Sequence, residues 1–584
     1  MNYKLSINKE KTSAFSALKK LLPYLDGERI QLIISFVAII VNSGLLLLAP
    51  LMIGHAINTY ILPKQYNGLV HYSGLVLLLY IGAVIANYVQ SKTMGGVGQR
   101  LLFTLRNTIF DKLQVLPIAF FNQNKAGDLI SRINSDTDNL NSFFSQSLMQ
   151  FVGNVVVMVG ATIFIIAIDW RVGLAAIIPL VIVLLITQAL SPWVKSRNAK
   201  SLQEVGGMSA EIQESLGNFK AIVAFNRRDY FRQKFEEANY KNFITSIQAG
   251  IANNVFVAIY GFAASAAQLI VLLYGIHLIL LGHFTIGFLI SYLTYTSRLY
   301  DPLRQMASLW ATFQTAMASW DRISAIVQLE NDMPLIIESA TTAPVSTRLS
   351  FQNVGFTYAE GKEVLRDVSI SLQPGQTYAL VGPTGGGKTT TASLMARLYD
   401  PTNGIILFEG RDIRTLSTIE RAQKIGFILQ EPFLFTGTVG ENIFYANELY
   451  KDASASELAL VLKNNELDDL MKQFENGLDT PVSQNGESIS LGQRQLIAFM
   501  RAVLRKPDLI ILDEATANID TVTEALLELV IEKLPQQTTK VIIAHRLNTI
   551  QNADEIFFVN GGSVTPAGSL DRAVDMLMSA KRTS

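Results

Sequence analysis

No cysteine occurs in this 584-residue chain, which excludes disulfides, thiolate metal sites and cysteine nucleophiles and leaves the compartment open. Charge is scarce as well: charged residues make up 16 % and hydrophobic residues 49 %, where soluble chains carry roughly 25 % charged residues. That deficit points to a membrane protein. Neither sign of charge prevails, with Lys plus Arg and Asp plus Glu at 48 each, so nothing suggests nucleic-acid binding. The lysines Lys4, Lys9, Lys11, Lys19 and Lys20 precede no early apolar stretch or small-residue cleavage site, and no cleaved signal peptide is expected. Low-complexity tracts and strong internal repeats are also missing.

What is present is apolar length. Six runs of about 20 residues or more, enough for a bilayer core, centre on residues 31–57, 69–90, 148–168, 172–190, 251–281 and 284–303. Only Asp169-Trp170-Arg171 separates the third from the fourth, and only Gly282-His283 the fifth from the sixth, so both pairs read as tight hairpins. The connections 91–147 and 191–248 are long, helix-patterned and basic, carrying Arg100, Arg106, Lys112, Lys195, Lys220 and Arg228 among others. The positive-inside rule puts them and both termini in the cytoplasm, as does an even number of spans. In the sixth run Thr294, Arg298, Asp301, Gln305 and Ser308 form a polar stripe at helical spacing, and Pro302 predicts a kink. The stripe reads either as the wall of a cavity, facing Asn254, Gly261, Ser265 and Gln268, or as an intrahelical Arg298–Asp301 pair.

Hydropathy drops after Arg322, and from Leu349 short β-rich runs alternate with helical ones. The expected organisation is an N-terminal cytoplasmic segment 1–28, a transmembrane domain 29–328, a linker 329–348 and an α/β domain 349–584. The last contains Gly382-Pro383-Thr384-Gly385-Gly386-Gly387-Lys388-Thr389 between a strand-like run and a helix-like run that opens at Thr390. This G-x-x-x-x-G-K-[ST] pattern predicts a phosphate-binding loop: glycines turn backbone N–H groups toward an anion and the helix end adds its dipole. Lys388 would reach the β- and γ-phosphates and Thr389 would ligate Mg²⁺. Leu509–Asp513 is a buried-strand pattern ending in a carboxylate beside that loop, suited to Mg²⁺, and the adjacent Glu514 is the candidate general base. His545 closes another apolar strand, one beyond Asp513-Glu514, as a candidate for holding γ-phosphate and water, and Gln430 is a candidate ligand of Mg²⁺ or water.

Taken in order, Tyr358, Gly382–Thr389, Gln430, Ile489-Ser490-Leu491-Gly492-Gln493, Asp513-Glu514, Ala517–Asp520 and His545 resemble an ABC-transporter ATPase. From about residue 15 to 570 the chain resembles a half-transporter of the ABC exporter class, such as bacterial multidrug and lipid-A exporters. The resemblance implies a six-span α-helical transmembrane domain fused to an α/β P-loop nucleotide-binding domain. It implies ATP and Mg²⁺ as ligands, with Thr389, Gln430 and Asp513 on the metal. Tyr358 matches the aromatic that stacks on adenine. Ser490, Gly492 and Gln493 match the signature that meets the ATP of a second subunit, and Asp520 the residue linking the two sites. A second half-transporter is therefore the expected partner, a homodimer and a heterodimer both being open. ATP-driven export of a drug-like or lipid cargo is expected, with a bacterial inner membrane as the location and the ATPase domain cytoplasmic. The alternative is an ATP-gated channel or regulatory subunit. Two departures stand out: Leu491 replaces the first signature glycine, and Gln484 stands where many exporters carry Glu. The segments Leu116–Asn122 with Gly127–Arg132, and Gly217–Phe225, resemble the two coupling segments of exporters.

Overall fold

The computed structural model describes residues 3–5, 20–331, 333–336, 347–359, 361, 363–430, 432–450, 453–513, 521–543 and 553–583. They form two units, one of residues 6–114 and 126–328, the other of residues 1–5, 115–125 and 329–584.

The first unit is helical. Five helices, α1 (Leu22–Ile61), α2 (Tyr66–Val115), α3 (Ala126–Ile168), α4 (Trp170–Gly217) and α5 (Arg228–Leu280), are long and apolar enough to cross a membrane. A sixth, α6 (Ile286–Val327), equals them in kind but not in apolarity. Arg298, Asp301 and Arg304 interrupt the apolar stretch of α6, so among the described residues five of the six expected runs reach full apolar length, and α6 crosses as a more polar helix. With 53 residues, α5 is about 80 Å long at ~1.5 Å per residue, against a hydrocarbon layer of about 30 Å. The charged connections read from the sequence are thus continuations of the spanning helices.

Local chemistry closes the turns. Asp169 lies between α3 and α4 and caps α4, its carboxylate accepting from Arg171 N at 2.8 Å. The Tyr292 hydroxyl of α6 donates to the Asp169 carbonyl at 2.5 Å. Between α5 and α6, Gly282 adopts φ +74°, a left-handed turn that glycine accommodates without strain. The core of this unit includes Tyr292, Tyr295, Tyr300, Val172, Ala176, Ala263 and Ala267, all buried. Its phenols are satisfied: Tyr295 donates to Leu47 O at 2.5 Å and Tyr300 to Ala176 O at 2.9 Å. A wide π-helical turn ends α1 at Ile57–Ile61, and two interrupt α3 at Arg132–Asp136 and Phe143–Ser147. At the second of these, Arg132 pairs with Asp128 at 2.9 Å and donates to Arg322 O at 2.5 Å, while Arg322 reaches Asp128 at 2.7 Å and Asp136 at 3.2 Å. This network pins the foot of α3 to α6.

The second unit is α/β. Strands β1 (Leu349–Thr357), β2 (Glu363–Leu372), β4 (Asn403–Phe408) and β5 (Arg411–Asp412) make an antiparallel sheet ordered β2-β1-β4-β5. A six-stranded sheet is ordered β12-β11-β3-β10-β9-β6, from β3 (Thr377–Val381), β6 (Ile425–Ile428), β9 (Leu509–Asp513), β10 (Thr539–Ile543), β11 (Glu555–Asn560) and β12 (Ser563–Pro566). All of its pairings are parallel except β11 with β12. A parallel sheet is covered on both faces, and the burial agrees: Leu509 through Ile511 and Ala379 and Leu380 are fully buried. A short pair, β7 (Gly437–Thr438) and β8 (Pro481–Val482), sits in a separate layer with its own core around Leu434, Val439, Ile443 and Leu496.

Candidate nucleotide site

In a parallel sheet the strands' carboxyl ends share one edge, and ligands bind there. Five parallel strands end at this edge, and four of them lead into candidate site segments. β3 runs into Gly382, β9 ends in Asp513, β10 stops at Ile543 and β6 leads through Leu429 to Gln430. Register aligns Asp513 with Ile543. One expectation needs correcting in detail: β9 is not beside β3, because β10 lies between them. The carboxylate and the glycine loop therefore flank the strand that leads to His545.

The loop itself is shaped by its glycines. Gly385 and Gly387 hold φ of +80° and +114°, values at which a side chain is strained. At Gly386 a Cβ would meet the Val559 carbonyl at 2.6 Å, so the loop lies against β11. Gly387 is the N-cap of helix α7 (Lys388–Met395), which starts directly at the lysine. Lys388 is buried and folds back over the loop, donating to Gly382 O at 2.8 Å and Pro383 O at 3.1 Å. Thr384 and Thr389 are exposed on the open side. Thr390 is buried, and its hydroxyl lies 3.0 Å from that of Tyr358.

Tyr358 follows the end of β1, half-buried, its ring edge-on to Phe356 at 4.8 Å and to Tyr399 at 5.5 Å. Burial pushes its phenol above the ordinary value, with the Thr390 hydrogen bond pulling the other way. Tyr399 in turn accepts from Asn122 Nδ2 at 2.8 Å. A side chain from the 115–125 segment thus reaches the aromatic cluster beside the phosphate loop, a link that no spacing in the sequence shows.

Gln430 is exposed beyond β6, and Asp513 is half-buried at the end of β9. Glu514, Asp520 and His545 lie outside the described residues, as do Ala517 to Ile519. Oxygen donors at Thr389 and Asp513 on one sheet edge are the hard ligands that Mg²⁺ takes, so the residues present fit that ion.

The signature segment lies on the other layer. Ser490 is the N-cap of helix α8 (Leu491–Val503) in a reciprocal capping box with Gln493, whose N–H donates to Ser490 Oγ at 3.2 Å while Ser490 N donates to Gln493 Oε1 at 2.9 Å. Ser490 is exposed and its hydroxyl proton is not used by the cap. Leu491 is half-buried, and Gly492 is buried against the helix Thr521–Glu532, where a Cβ would meet Thr523 Cγ2 at 2.8 Å. Gln484 is exposed in a short 3₁₀ turn, Gln484–Gly486.

The two coupling-like segments differ. Phe120 is fully buried, edge-on to Tyr3 at 6.3 Å, and Phe121 is 42 % exposed. Phe225, at the end of the short helix Phe219–Ala224, is 77 % exposed. Residues 3–5 are clipped to the first segment: Tyr3 N donates to Gln123 Oε1 at 2.8 Å, Leu5 N to Asn124 Oδ1 at 3.0 Å, and Asn124 Nδ2 to Tyr3 O at 2.9 Å.

Comparison with known proteins gives a consistent result over both units. A family model described as "ABC transporter transmembrane region" matches residues 32–303, and one described as "ABC transporter" matches residues 365–517. An uncharacterized ABC transporter ATP-binding protein, YfiC, of Bacillus subtilis (strain 168) is 33 % identical over 95 % of this chain and 92 % of its own. A fatty acid ABC transporter ATP-binding/permease protein of Mycobacterium bovis is 31 % identical over 85 % of this chain and 78 % of its own. An ATP-dependent lipid A-core flippase of Syntrophus aciditrophicus is 29 % identical over 85 % and 82 %.

Proposed function

The chain belongs to the ABC transporter family, and from that premise we propose that it is one half of a dimeric exporter that moves a hydrophobic or amphipathic cargo across a bacterial inner membrane. It is an integral membrane protein whose nucleotide-binding unit couples ATP hydrolysis to transport. The observation that supports the reading is the shared sheet edge, where the glycine loop after β3 and Asp513 at the end of β9 lie on either side of β10, in a chain that also carries five membrane-length apolar helices among the described residues. The printed names of the relatives, a fatty acid transporter and a lipid A-core flippase, support an apolar cargo.

In this mechanism ATP lies along the loop with its adenine on Tyr358 and its phosphates against the N–H groups of Gly385 to Thr390. Lys388 leaves its two carbonyl partners for the β- and γ-phosphates. Thr389, Asp513 and Gln430 would hold Mg²⁺, which when bound neutralises phosphate charge. Glu514 takes a proton from the attacking water, and His545 holds that water and the γ-phosphate in line. Ser490, Gly492 and Gln493 meet the ATP of the other subunit, Ser490 through its spare hydroxyl proton and α8 through its N-terminal dipole. Asp520 links the two sites. A second copy of this chain suffices as partner, because each copy carries both a phosphate loop and a signature. The largely exposed Phe225 supports docking of that segment on the partner, as an aromatic anchor.

ATP-dependent uptake of a fluorescent apolar dye into inside-out proteoliposomes tests the proposal. The expected result is uptake that requires hydrolysable ATP and stops in Glu514→Gln. Dye flux that proceeds on binding of a non-hydrolysable analogue would favour the gated-channel alternative.

A further inference from the structure

The polar stripe of α6 lies opposite that helix's core face. At about 100° per residue, Tyr292, Tyr295, Leu299 and Tyr300 share one side, all buried. Thr294, Arg298, Asp301, Gln305 and Ser308 share the other, where the last three are exposed. Arg298 follows Ile286 by twelve residues, about 18 Å along the axis, past the middle of a hydrocarbon layer of about 30 Å. It falls inside the matched transmembrane region, which runs to residue 303. Such a face does not turn to lipid, because polar and charged groups at that depth are stable only toward water, protein or a ligand.

The stripe's charges do not cancel. Asp301 pairs with Arg304 at 2.7 Å, not with Arg298 as one sequence reading had it. Asn154 of α3 donates to Gln305 Oε1 at 3.2 Å and extends the polar wall onto a second helix. Gln268 of α5 is turned to Ser297 of α6, at 2.7 Å, beside the stripe and not facing it. Arg298 is left over: it makes no hydrogen bond or ion pair among the described residues, and its buried Nε has no partner. A guanidinium at membrane depth calls for water, a counter-charge or a ligand.

We propose that Arg298 is the headgroup subsite of the transport path and that the cargo is an amphipath with an oxyanion headgroup on an apolar tail. The inference rests on the export reading above and narrows its cargo. Carboxylate and phosphate share the chemistry that a guanidinium recognises, two coplanar acceptors for its N–H fork. Gln305 and Ser308, about 10 and 15 Å further along the axis, continue the polar wall with Asn154, and the exposed apolar surface of the neighbouring spans takes the tail.

The test uses the full chain in lipid nanodiscs and proteoliposomes with fluorescent dodecyl probes that differ only in the headgroup: carboxylate, phosphate, methyl ester and trimethylammonium, with inorganic phosphate as the tail-free control. Binding is read by fluorescence and transport by ATP-dependent uptake, each for the parent, Arg298→Gln and Arg298→Lys. The expected result is that the parent binds one or both anionic probes at least about tenfold more tightly than the ester. Arg298→Gln should remove that margin, Arg298→Lys restore part of it, and the ester bind all three alike. Which anion wins distinguishes a carboxylate cargo from a phosphate one, and binding of inorganic phosphate alone would show a simple anion site and overturn the amphipath. Equal anion binding by the parent and Arg298→Gln, or preference for the trimethylammonium probe, overturns the proposal. Loss of ester binding together with the anions in both variants also overturns it, by marking Arg298 as a structural residue. Binding with the expected selectivity but no uptake of any probe would leave the subsite standing and refute the export reading instead.

Discussion

Gly492 has two possible reasons to be glycine, and a pair of substitutions separates them. A Cβ built there lies 2.8 Å from Thr523 Cγ2, 2.9 Å from its Oγ1 and 3.3 Å from its Cβ. Carbon atoms rest at about 3.5–4.0 Å, so Gly492→Ala forces α8 and the Thr521–Glu532 helix apart by several tenths of an ångström or more. Overpacking of that kind costs about 1–3 kcal/mol, or a fall in melting temperature of about 2–12 °C for a domain of this size. Thr523→Ala removes the two closest atoms and leaves only the contact at 3.3 Å. The double variant Gly492→Ala/Thr523→Ala should therefore melt within about 1 kcal/mol of Thr523→Ala alone, a coupling between neighbours that a double-mutant cycle isolates. Differential scanning fluorimetry of the full chain in detergent reads the melting, and ATP turnover is measured on the same samples. A double variant as unstable as Gly492→Ala would refute the packing argument. A double variant that regains its melting temperature but not its turnover would show that glycine is needed for the approach of the partner's phosphate as well.

Tyr358→Phe removes only the hydrogen bond to Thr390 and should raise the KM for ATP about two- to tenfold, whereas Tyr358→Ala, which also loses adenine stacking worth ~1–3 kcal/mol, should raise it much further; equal effects would argue against stacking. Asp412 is subject first to burial, which raises its carboxyl, but hydrogen bonds and charge from Arg414, with Arg397 behind, outweigh this and hold it below its ordinary value of 3.8. Its stabilising contribution is complete above about pH 5 and is lost as pH falls through the folded-state value. The melting gap between the parent and Asp412→Asn should stay constant from neutral pH to about 5 and close in stronger acid; a gap that widens there would reverse the sign. Asn124→Ala deletes hydrogen bonds to Tyr3, Leu5 and Phe120 and should make the bond after Lys4 cleavable by trypsin in the native protein, detected as loss of the N-terminal peptide by mass spectrometry.

How much could be read in advance follows from the range of each interaction. Apolar length and the Asp169 and Gly282 turns are local, and the helices and hairpins follow from them. The Gly382–Thr389 loop was legible because left-handed backbone at Gly385 and Gly387 demands glycine whatever surrounds it. Strand order is non-local, and nothing in the run Thr539–Ile543 says that it inserts between β3 and β9. The partner of Asp301 was undecidable for a related reason: Arg298 at i−3 and Arg304 at i+3 are equivalent by spacing, and only the packing of α6 selects Arg304. The Asn122–Tyr399 contact joins residues 277 apart. Such pairs leave no periodicity. The π-turn Arg132–Asp136 of α3 likewise carries Arg132 and Asp136 to Arg322, a residue about 190 positions away that no local spacing indicates.

The central claim is that this chain hydrolyses ATP by pairing its own phosphate loop with the signature of a second copy. Mg²⁺-ATPase activity of the chain purified alone in lipid nanodiscs, beside Glu514→Gln, tests it most directly. The account predicts turnover in the parent and a loss of about a hundredfold or more in the variant, the range expected for removal of a general base. Background turnover from a well-folded parent, or a Gln variant as active as the parent, would contradict it.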